Sequence, residues 1–317
     1  MELFCNTSNR MTRWLASTGA LKTPFVLLDV GVQDGISLRW HALQDHLVVY
    51  GFDLLEEAIE PLVRAGGVGK HYFAMGLADQ DVELDIIVPA NRRETQLYST
   101  GAGERRRVQI RRLDTLLKDR LIEPVDFIKM DCEGFEPIIL RGAADYLAAS
   151  NLIGADVESS FNLSPLLPNT QFSESCDPLV RQRLMVFDIQ FDRAPVSGLR
   201  LPAGIHRPTT LNILFARNLP QERDSPSSFA YRPPERPADP QTVLKSAIVL
   251  ESYGLLDWAH HVLQTFSSDI GASVDVDKAV AELRKGAERS MSWRIPAPMQ
   301  SARYLLRRLK NQSKRKA

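Results

Sequence analysis

Residues 125–136 read VDFIKMDCEGFE, and this stretch decides the fold class of the chain. A short apolar run ends in two acids, Asp131 and Glu133, before Gly134 opens a helical pattern. In open α/β sheets, ligands bind in the crevice beyond the carboxyl ends of the strands. We therefore predict a strand over 125–130 that presents Asp131 and Glu133 to a ligand.

A second strand end, FVLLDVGVQDG at residues 25–35, has the same layout with two glycines added. Glycine lets the backbone turn sharply and approach a ligand, so Gly31 and Gly35, with Asp29 before them, are candidate ligand-binding residues. The spacing is not G-x-G-x-x-G, and Asp34 would repel a phosphate at a helix start. This pattern argues against a dinucleotide and favours a phosphate-free ligand.

Two further acids follow predicted strands. Asp53 ends a strand 22 residues after Gly31, where it could accept hydrogen bonds from both hydroxyls of a ribose. It could equally cap the helix that follows. Asp79 could accept from an adenine amino group or could be an ordinary turn residue. We predict that both acids bind a cofactor.

The paired acids after the strand at 125–130 have several possible roles. Two carboxylates this close in sequence repel each other more strongly as they leave water, and this repulsion lowers the stability of the fold. Such a pair therefore suggests a function. Asp131 or Glu133 could act as a general base or hold a substrate hydroxyl. With Glu158 at the next strand end they could also bind Mg²⁺, since this ion prefers oxygen ligands. Oxygen ligands alone are a weak signal, so a divalent metal is possible but not indicated.

Apolar runs alternate with amphipathic stretches over the first two-thirds of the chain. This alternation predicts an α/β fold with a doubly wound, mainly parallel sheet and helices on both faces. Segments 81–88 and 108–113 do not fit the alternation and are predicted to form an inserted hairpin. The seven predicted sheet strands are 25–30, 46–52, 72–77, 125–130, 152–157, 185–191 and 211–216, and the predicted helices between them are 37–44, 54–64 and 136–149.

The composition changes after Arg217. Residues 220–240 contain six prolines, which is typical of an extended linker. Beyond them, 242–266 and 275–289 read as helices, and the last 17 residues carry seven Lys or Arg and no acid. We predict a domain over 1–219, a linker over 220–240 and a helical extension with a basic tail over 241–317.

Charge and cysteine content narrow the class of protein. Lys plus Arg and Asp plus Glu number 39 each, so no overall field recruits nucleic acid or a membrane. The three cysteines are scattered, which fits neither a disulfide framework nor a zinc site. No secretory signal or apolar run of about 18 residues is present. We expect a cytoplasmic protein without stable membrane insertion or a nucleic-acid partner.

The blocks IKMDCEGFE at 128–136 and LRGA at 140–143 resemble those of the FkbM-type methyltransferases, which depend on S-adenosylmethionine. The resemblance runs from about residue 25 to 217. The block at 29–35 is similar to the cofactor turn of that family but has Val32-Gln33 where Ala-Asn is usual. Gly51-Phe52-Asp53 is similar to its second-strand block.

The resemblance implies a class I methyltransferase-like sheet of seven strands and O-methylation of a hydroxyl on a sugar or other secondary metabolite or glycan. It implies S-adenosylmethionine held by Asp29, Gly31, Gly35, Asp53 and Asp79, beside Asp131 and Glu133. Two alternatives stay open: an NAD-dependent oxidoreductase on a similar sheet, and a non-catalytic methyltransferase-like scaffold. Neither the acceptor nor the oligomeric state can be predicted.

Overall fold

The computed structural model describes residues 9–90, 102–132, 134–149, 152–160, 172–194, 207–224 and 238–291. Two of the predictions above, Glu133 and the basic tail, lie outside these ranges. The strands are β1 (Phe25–Val30), β2 (Leu47–Asp53), β3 (Lys70–Ala74), β4 (Gly76–Leu77), β5 (Val82–Val88), β6 (Glu104–Arg111), β7 (Phe127–Met130), β8 (Gly154–Ser160), β9 (Leu184–Ala194) and β10 (Arg207–Arg217).

Eleven α-helices and one 3-10 helix accompany the strands in the described ranges. The 3-10 helix is Leu38–His46. The α-helices are α1 (Arg10–Ser17), α2 (Glu56–Ala65), α3 (Leu113–Lys118), α4 (Glu136–Gly142), α5 (Ala144–Ala149), α6 (Phe172–Val180), α7 (Leu219–Asp224), α8 (Pro240–Ser252), α9 (Leu256–Thr265), α10 (Ser267–Ile270) and α11 (Val276–Met291). Within the described residues, no helix is both long and apolar enough to cross a membrane.

Seven strands form one sheet in the order β3-β2-β1-β7-β8-β10-β9. The first five of these strands are parallel, whereas β10 runs antiparallel to both β8 and β9. The predicted class I methyltransferase-like α/β fold, with its mainly parallel sheet of seven strands and C-terminal helices, is confirmed. The strand order reverses between β1 and β7. After β1 the chain forms β2 and β3 on one side of β1, and it later forms β7 and β8 on the other side.

A second, three-stranded sheet has the order β4-β6-β5. Its antiparallel pair β5 and β6 is the hairpin that the sequence predicts between residues 81 and 113. The single strand predicted over 72–77 is divided between the two sheets, because β3 stays in the main sheet and β4 pairs with β6.

The two faces of the main sheet bury different helices. On one face, Val26 and Leu28 of β1 lie in the apolar cluster that includes side chains of α2 to α6. On the other, Phe25 and Leu27 lie in a cluster with α1, the 3-10 helix and the C-terminal helices. Trp40 stacks on Phe25 at 5.1 Å between ring centroids. Alternation along β1 therefore gives each face of the sheet its own core.

The helical extension lies on the second face of the sheet. Val243, Ala247 and Ile248 of α8 are fully buried in the same cluster as Phe25 and Leu27. Lys245 of α8 forms an ion pair with Asp126, with 2.8 Å between Nζ and Oδ2. The division of the chain at 219 and 241 stays a prediction, but the extension supplies part of the core of the sheet.

Two helices differ from their predicted lengths. The stretch predicted as one helix over 242–266 breaks at Gly254, whose φ of +78° only glycine adopts easily. The Leu255 N–H donates to Leu250 O and the Gly254 N–H to Glu251 O, which ends α8 in a Schellman-type turn. The stretch over 136–149 likewise forms two short helices that meet at Ala143.

Helix α1 was not predicted, and its stability depends on a distant residue. The Glu251 carboxylate accepts hydrogen bonds from the N–H groups of Met11 and Thr12 at 3.0 and 2.8 Å. A carboxylate at a helix start satisfies N–H groups that have no partner within the helix. Since Glu251 is about 240 residues away in sequence, local patterns could not reveal this cap.

Candidate active site

The carboxyl ends of β1, β2 and β7 meet at the point where the strand order reverses. Asp29 and Gly31 lie at the end of β1, Asp53 ends β2, and Asp131 follows β7. A switch point of this kind leaves a crevice above the sheet, because the connections from β1 depart to opposite sides. Four of the predicted site residues therefore share one edge of the sheet.

Gly31 is in direct contact with the chain at Asp131. A Cβ at Gly31, whose φ is +83°, would lie 2.1 Å from the Asp131 carbonyl oxygen. The Asp131 N–H also donates to Val30 O at 3.1 Å. Only glycine allows the turn after β1 to approach the turn after β7 this closely. The structure thus brings the predicted cofactor turn against the predicted catalytic residue.

The N–H groups of the first turn bond within the protein. Those of Gly31 and Val32 both donate to Phe52 O, at 2.9 and 3.2 Å, and that of Gly35 donates to Val32 O. A phosphate-binding loop instead aims such groups at the ligand. The geometry supports the prediction that the ligand carries no phosphate at this turn.

Gly35 has a looser environment than Gly31. Its φ is also +83°, which accounts for the glycine, but an added Cβ would meet only Leu62 Cδ2 at 3.4 Å. The conformation of the turn therefore requires Gly35, whereas close packing requires Gly31.

A lysine links two of the predicted acids. Lys129 Nζ lies 3.5 Å from Asp29 Oδ1 and 3.5 Å from Asp131 Oδ2. Burial opposes the charge of this lysine, but the surrounding carboxylates Asp29, Asp131 and Asp156 outweigh it and raise the pKa of Lys129. Lys129 stays protonated and partly neutralises both neighbours.

Asp29 has spare hydrogen-bonding capacity. The residue is 3% exposed, and its Oδ1 has no hydrogen-bond partner within the described part of the chain. Burial raises the pKa of Asp29, and Lys129 partly offsets the shift. Apart from the 3.5 Å contact with Lys129 Nζ, this oxygen has room for a ligand that brings an N–H or O–H group.

Asp53 closes the turn between β2 and α2. Its Oδ1 accepts from the Leu55 N–H at 2.9 Å. Leu55 is the N-cap of α2 and has no side-chain cap bond, so Asp53 stabilises the turn before the helix and does not cap it. Burial raises the pKa of Asp53, and the hydrogen bond from Leu55 acts in the opposite direction. Asp53 lies at the end of β2, beside β1, and its role in binding a ribose stays a prediction.

Asp79 has a protein partner. Its Oδ2 accepts from Arg141 Nε of α4 at 3.1 Å, and Gly142 packs directly on the Ala78 carbonyl. An adenine amino group would have to share the Asp79 carboxylate with Arg141. The adenine role therefore stays a prediction with a competing contact.

Sequence reasoning missed Glu136, which fixes the turn after β7. This glutamate is 1% exposed and its Oε1 accepts from the Cys132 N–H at 2.7 Å. Cys132 Sγ in turn contacts Val30 O at 3.4 Å. Glu133 lies between these residues but outside the described ranges. The sequence signal for this role was the position of Glu136 in the first turn of a predicted helix, directly after a loop.

Sequence reasoning also missed a row of charges across the sheet. Asp29 of β1 pairs in register with Lys129 of β7, which pairs in register with Asp156 of β8. Each residue interrupts an apolar strand at the same height. A charged residue inside each of three predicted strands was the signal for this row.

Two further observations concern other ligands that the region could bind. Among the described residues no group of three or more His, Cys, Asp or Glu could hold a metal ion. On β6, Arg105, Arg106 and Arg107 form ion pairs with Asp85, Glu57 and Glu83. These pairs make the arginines a poor site for an anionic ligand.

The fold defines a class I methyltransferase-like protein. The family model described as Methyltransferase FkbM domain matches residues 55–170, which confirms the resemblance predicted from the sequence. The match includes the block at 128–136 but begins after Asp53, so the predicted resemblance of the blocks at 29–35 and 51–53 stays a prediction. Residues 55–170 of this chain are thus similar to the FkbM methyltransferase domain. Comparison with curated protein sequences gives no match.

Three solved structures illustrate the likeness in fold. A methyltransferase FkbM from Methylobacillus flagellatus KT is 15% identical at a TM-score of 0.38, covering 60% of this chain and 43% of its own. A precorrin-6y C5,15-methyltransferase from Geobacter metallireducens is 10% identical at 0.34, covering 64% and 86%. A Burkholderia thailandensis 1,6-didemethyltoxoflavin-N1-methyltransferase with bound S-adenosylhomocysteine is 16% identical at 0.33, covering 67% and 80%. At these values none carries an argument about activity.

Proposed function

We propose that this protein transfers a methyl group from S-adenosylmethionine to a hydroxyl of a small-molecule or glycan acceptor. The contact between Gly31 and the backbone carbonyl of Asp131 carries the proposal, because it puts the turn proposed to hold the cofactor next to the residue proposed as the base. The FkbM-type domain at 55–170 supports the reaction class. A sugar or another secondary metabolite is the proposed acceptor.

The residues at the strand ends fit this cofactor. Asp53 can accept hydrogen bonds from the ribose hydroxyls beyond its own bond to Leu55, and Asp29 Oδ1 can accept from an N–H beyond its 3.5 Å contact with Lys129. The acids Asp29, Asp131 and Asp156 outnumber the lysine among them, Lys129. This excess of negative charge suits a ligand with a positive sulfonium.

Bound S-adenosylmethionine supplies a methyl group that is already activated on a sulfonium. The task of the protein is then to hold the acceptor oxygen in line, and such positioning can lower a barrier by about 7–11 kcal/mol. The new O–C bond would form as the S–C bond breaks, and the electron pair of the S–C bond would stay on sulfur.

The acceptor hydroxyl also loses its proton. Asp131, whose side chain is 49% exposed, can take this proton while Lys129 fixes the position of the carboxylate. A placed base contributes about 10²–10⁴-fold to such a step. Glu133 is the second candidate for this base, and no metal ion is proposed.

Calorimetric titration with S-adenosylmethionine tests the function against its alternatives. We expect the cofactor to bind and NADH not to bind. Binding of NADH alone would favour the oxidoreductase, and binding of neither would favour the non-catalytic scaffold. Once cofactor binding is established, hydroxylated acceptors can be screened for methyl transfer.

A further inference from the structure

The charged row across the sheet continues into the helical extension. Asp156 Oδ2 accepts a hydrogen bond from the Tyr253 hydroxyl at 2.7 Å. Tyr253 follows the last residue of α8 and is 8% exposed. The extension, which lies outside the matched family domain, therefore contacts the row that includes Asp29.

Tyr253 is held in place from several sides. The Arg39 guanidinium lies over its ring at 3.9 Å, and the rings of Phe127 and Trp40 lie 5.7 and 6.1 Å away. Burial and the negative charge of Asp156 raise the pKa of Tyr253 well above its usual value. The hydroxyl thus stays protonated and donates to Asp156.

Asp156 depends on these partners. Burial raises the pKa of Asp156, whereas the charge of Arg39 and the hydrogen bond from Tyr253 oppose the shift. Asp156 lies beside Lys129 in register, and Lys129 lies 3.5 Å from Asp29 and from Asp131. A change in the position of Asp156 therefore changes its electrostatic interaction with Lys129.

We propose that Tyr253 is a positioning residue for cofactor binding, which acts through Asp156 and Lys129 on the carboxylate of Asp29. The inference rests on the proposed function, because Asp29 matters here only as part of the cofactor site. The hydrogen bond from Tyr253 fixes Asp156 on the β8 side of Lys129, and the charge of Asp156 acts on the ammonium group that contacts Asp29 and Asp131. Without this hydrogen bond, the ammonium group of Lys129 shifts and the carboxylate of Asp29 loses its position for cofactor binding.

A double-mutant cycle on the full chain tests this proposal, with S-adenosylmethionine affinity measured by calorimetry. We expect Tyr253→Phe, which removes the hydrogen bond, and Asp156→Asn, which removes the negative charge beside Lys129, each to weaken binding about three- to tenfold, the range for one ordinary hydrogen bond. Because both changes act through one contact, the double variant should be no weaker than the weaker single variant.

Tyr146→Phe is the matched control. Tyr146 donates to Val125 O and accepts from Val125 N at the opposite end of β7, so its loss should lower stability without changing affinity. Unchanged affinity in Tyr253→Phe, or equal losses in both tyrosine variants, would overturn the inference while leaving the proposed function intact. A wild-type protein that does not bind S-adenosylmethionine would overturn both.

Discussion

Gly31 is the residue at which the ends of two strands come into contact. Gly31→Ala should strain a positive φ and force a methyl group against the Asp131 carbonyl. Gly19→Ala is a matched control, because Gly19 also has a positive φ, +68°, but nothing lies within 4 Å. We expect the control to cost about 1 kcal/mol of unfolding free energy and Gly31→Ala at least about 2 kcal/mol more.

Urea denaturation of the two variants provides the comparison. Gly31→Ala should also abolish S-adenosylmethionine binding, whereas Gly19→Ala should bind like wild type. Equal costs in the two variants would show that the contact between β1 and β7 is not tight.

The buried Asp29 predicts a pH dependence of stability. Its folded pKa is raised by burial above the usual 3.8, so the folded protein holds this proton to higher pH than the unfolded chain. The contribution of Asp29 is then complete below about pH 3.8 and is lost as the pH rises through the folded value. The stability that Asp29→Asn loses relative to wild type should therefore shrink as the pH increases.

Asp81 provides a control of opposite sign. Burial opposes its charge, but hydrogen bonds from Thr115 and Arg112 outweigh it and lower the pKa of Asp81. Its contribution is present above pH 3.8 and is lost as the pH falls. In urea unfolding without cofactor, the difference between wild type and Asp29→Asn should shrink as the pH rises above about 3.8, whereas the difference for Asp81→Asn should stay nearly constant there and shrink only as the pH falls below about 3.8. A difference for Asp29→Asn that grows with pH would contradict the burial of Asp29.

Residue-level patterns predicted part of the site. The positions of Asp29, Gly31, Asp53 and Asp131 at strand ends could be predicted because apolar runs followed by acids and glycines mark such ends, whereas their binding and catalytic roles stay predictions. Lys129, Glu136 and Asp156 were missed, since their importance comes from cross-strand register and burial. Tyr253 could not be found, because a contact 97 residues away leaves no local pattern.

At the scale of elements, the strands of the main sheet were predicted best. Their apolar runs are long enough to identify, whereas the breaks at Ala143 and Gly254 depend on tertiary packing. The predicted linker at 220–240 begins with α7 and ends with the start of α8, and residues 225–237 lie outside the described ranges. Proline content indicated the change in composition but not these helix boundaries.

Helix α8 provides the test of whether the extension belongs to the core. Ile248 is 0% exposed in the cluster that includes Phe25 and Leu27, so Ile248→Ala should lower the unfolding free energy by about 2–5 kcal/mol. Val63→Ala on α2, at a side chain 57% exposed, should change it by no more than about 0.5 kcal/mol.

The shape of the unfolding curve distinguishes the possibilities for α8. Far-ultraviolet circular dichroism and tryptophan fluorescence should report a single shared transition in Ile248→Ala. An early transition in which only part of the helical signal is lost would mean that the extension unfolds by itself.

At the scale of the whole molecule, the sheet positions every group in the proposed reaction. The reversal of strand order sets the crevice, the segment matched by the family model includes β7 and Asp131, and the extension contacts the far end of the charged row at Asp156. Sequence patterns predicted the first two features. The contact of the extension with the charged row could be recognised only in the folded structure, because packing and not a sequence motif determines which helices cover the sheet.

A crystal structure with S-adenosylhomocysteine tests the central claim most directly. We expect the ribose at Asp53, the chain of the amino acid beside Gly31 and Asp29, and the sulfur facing Asp131. A cofactor bound anywhere other than the carboxyl ends of β1, β2 and β7, or with its sulfur directed away from Asp131, would contradict the account.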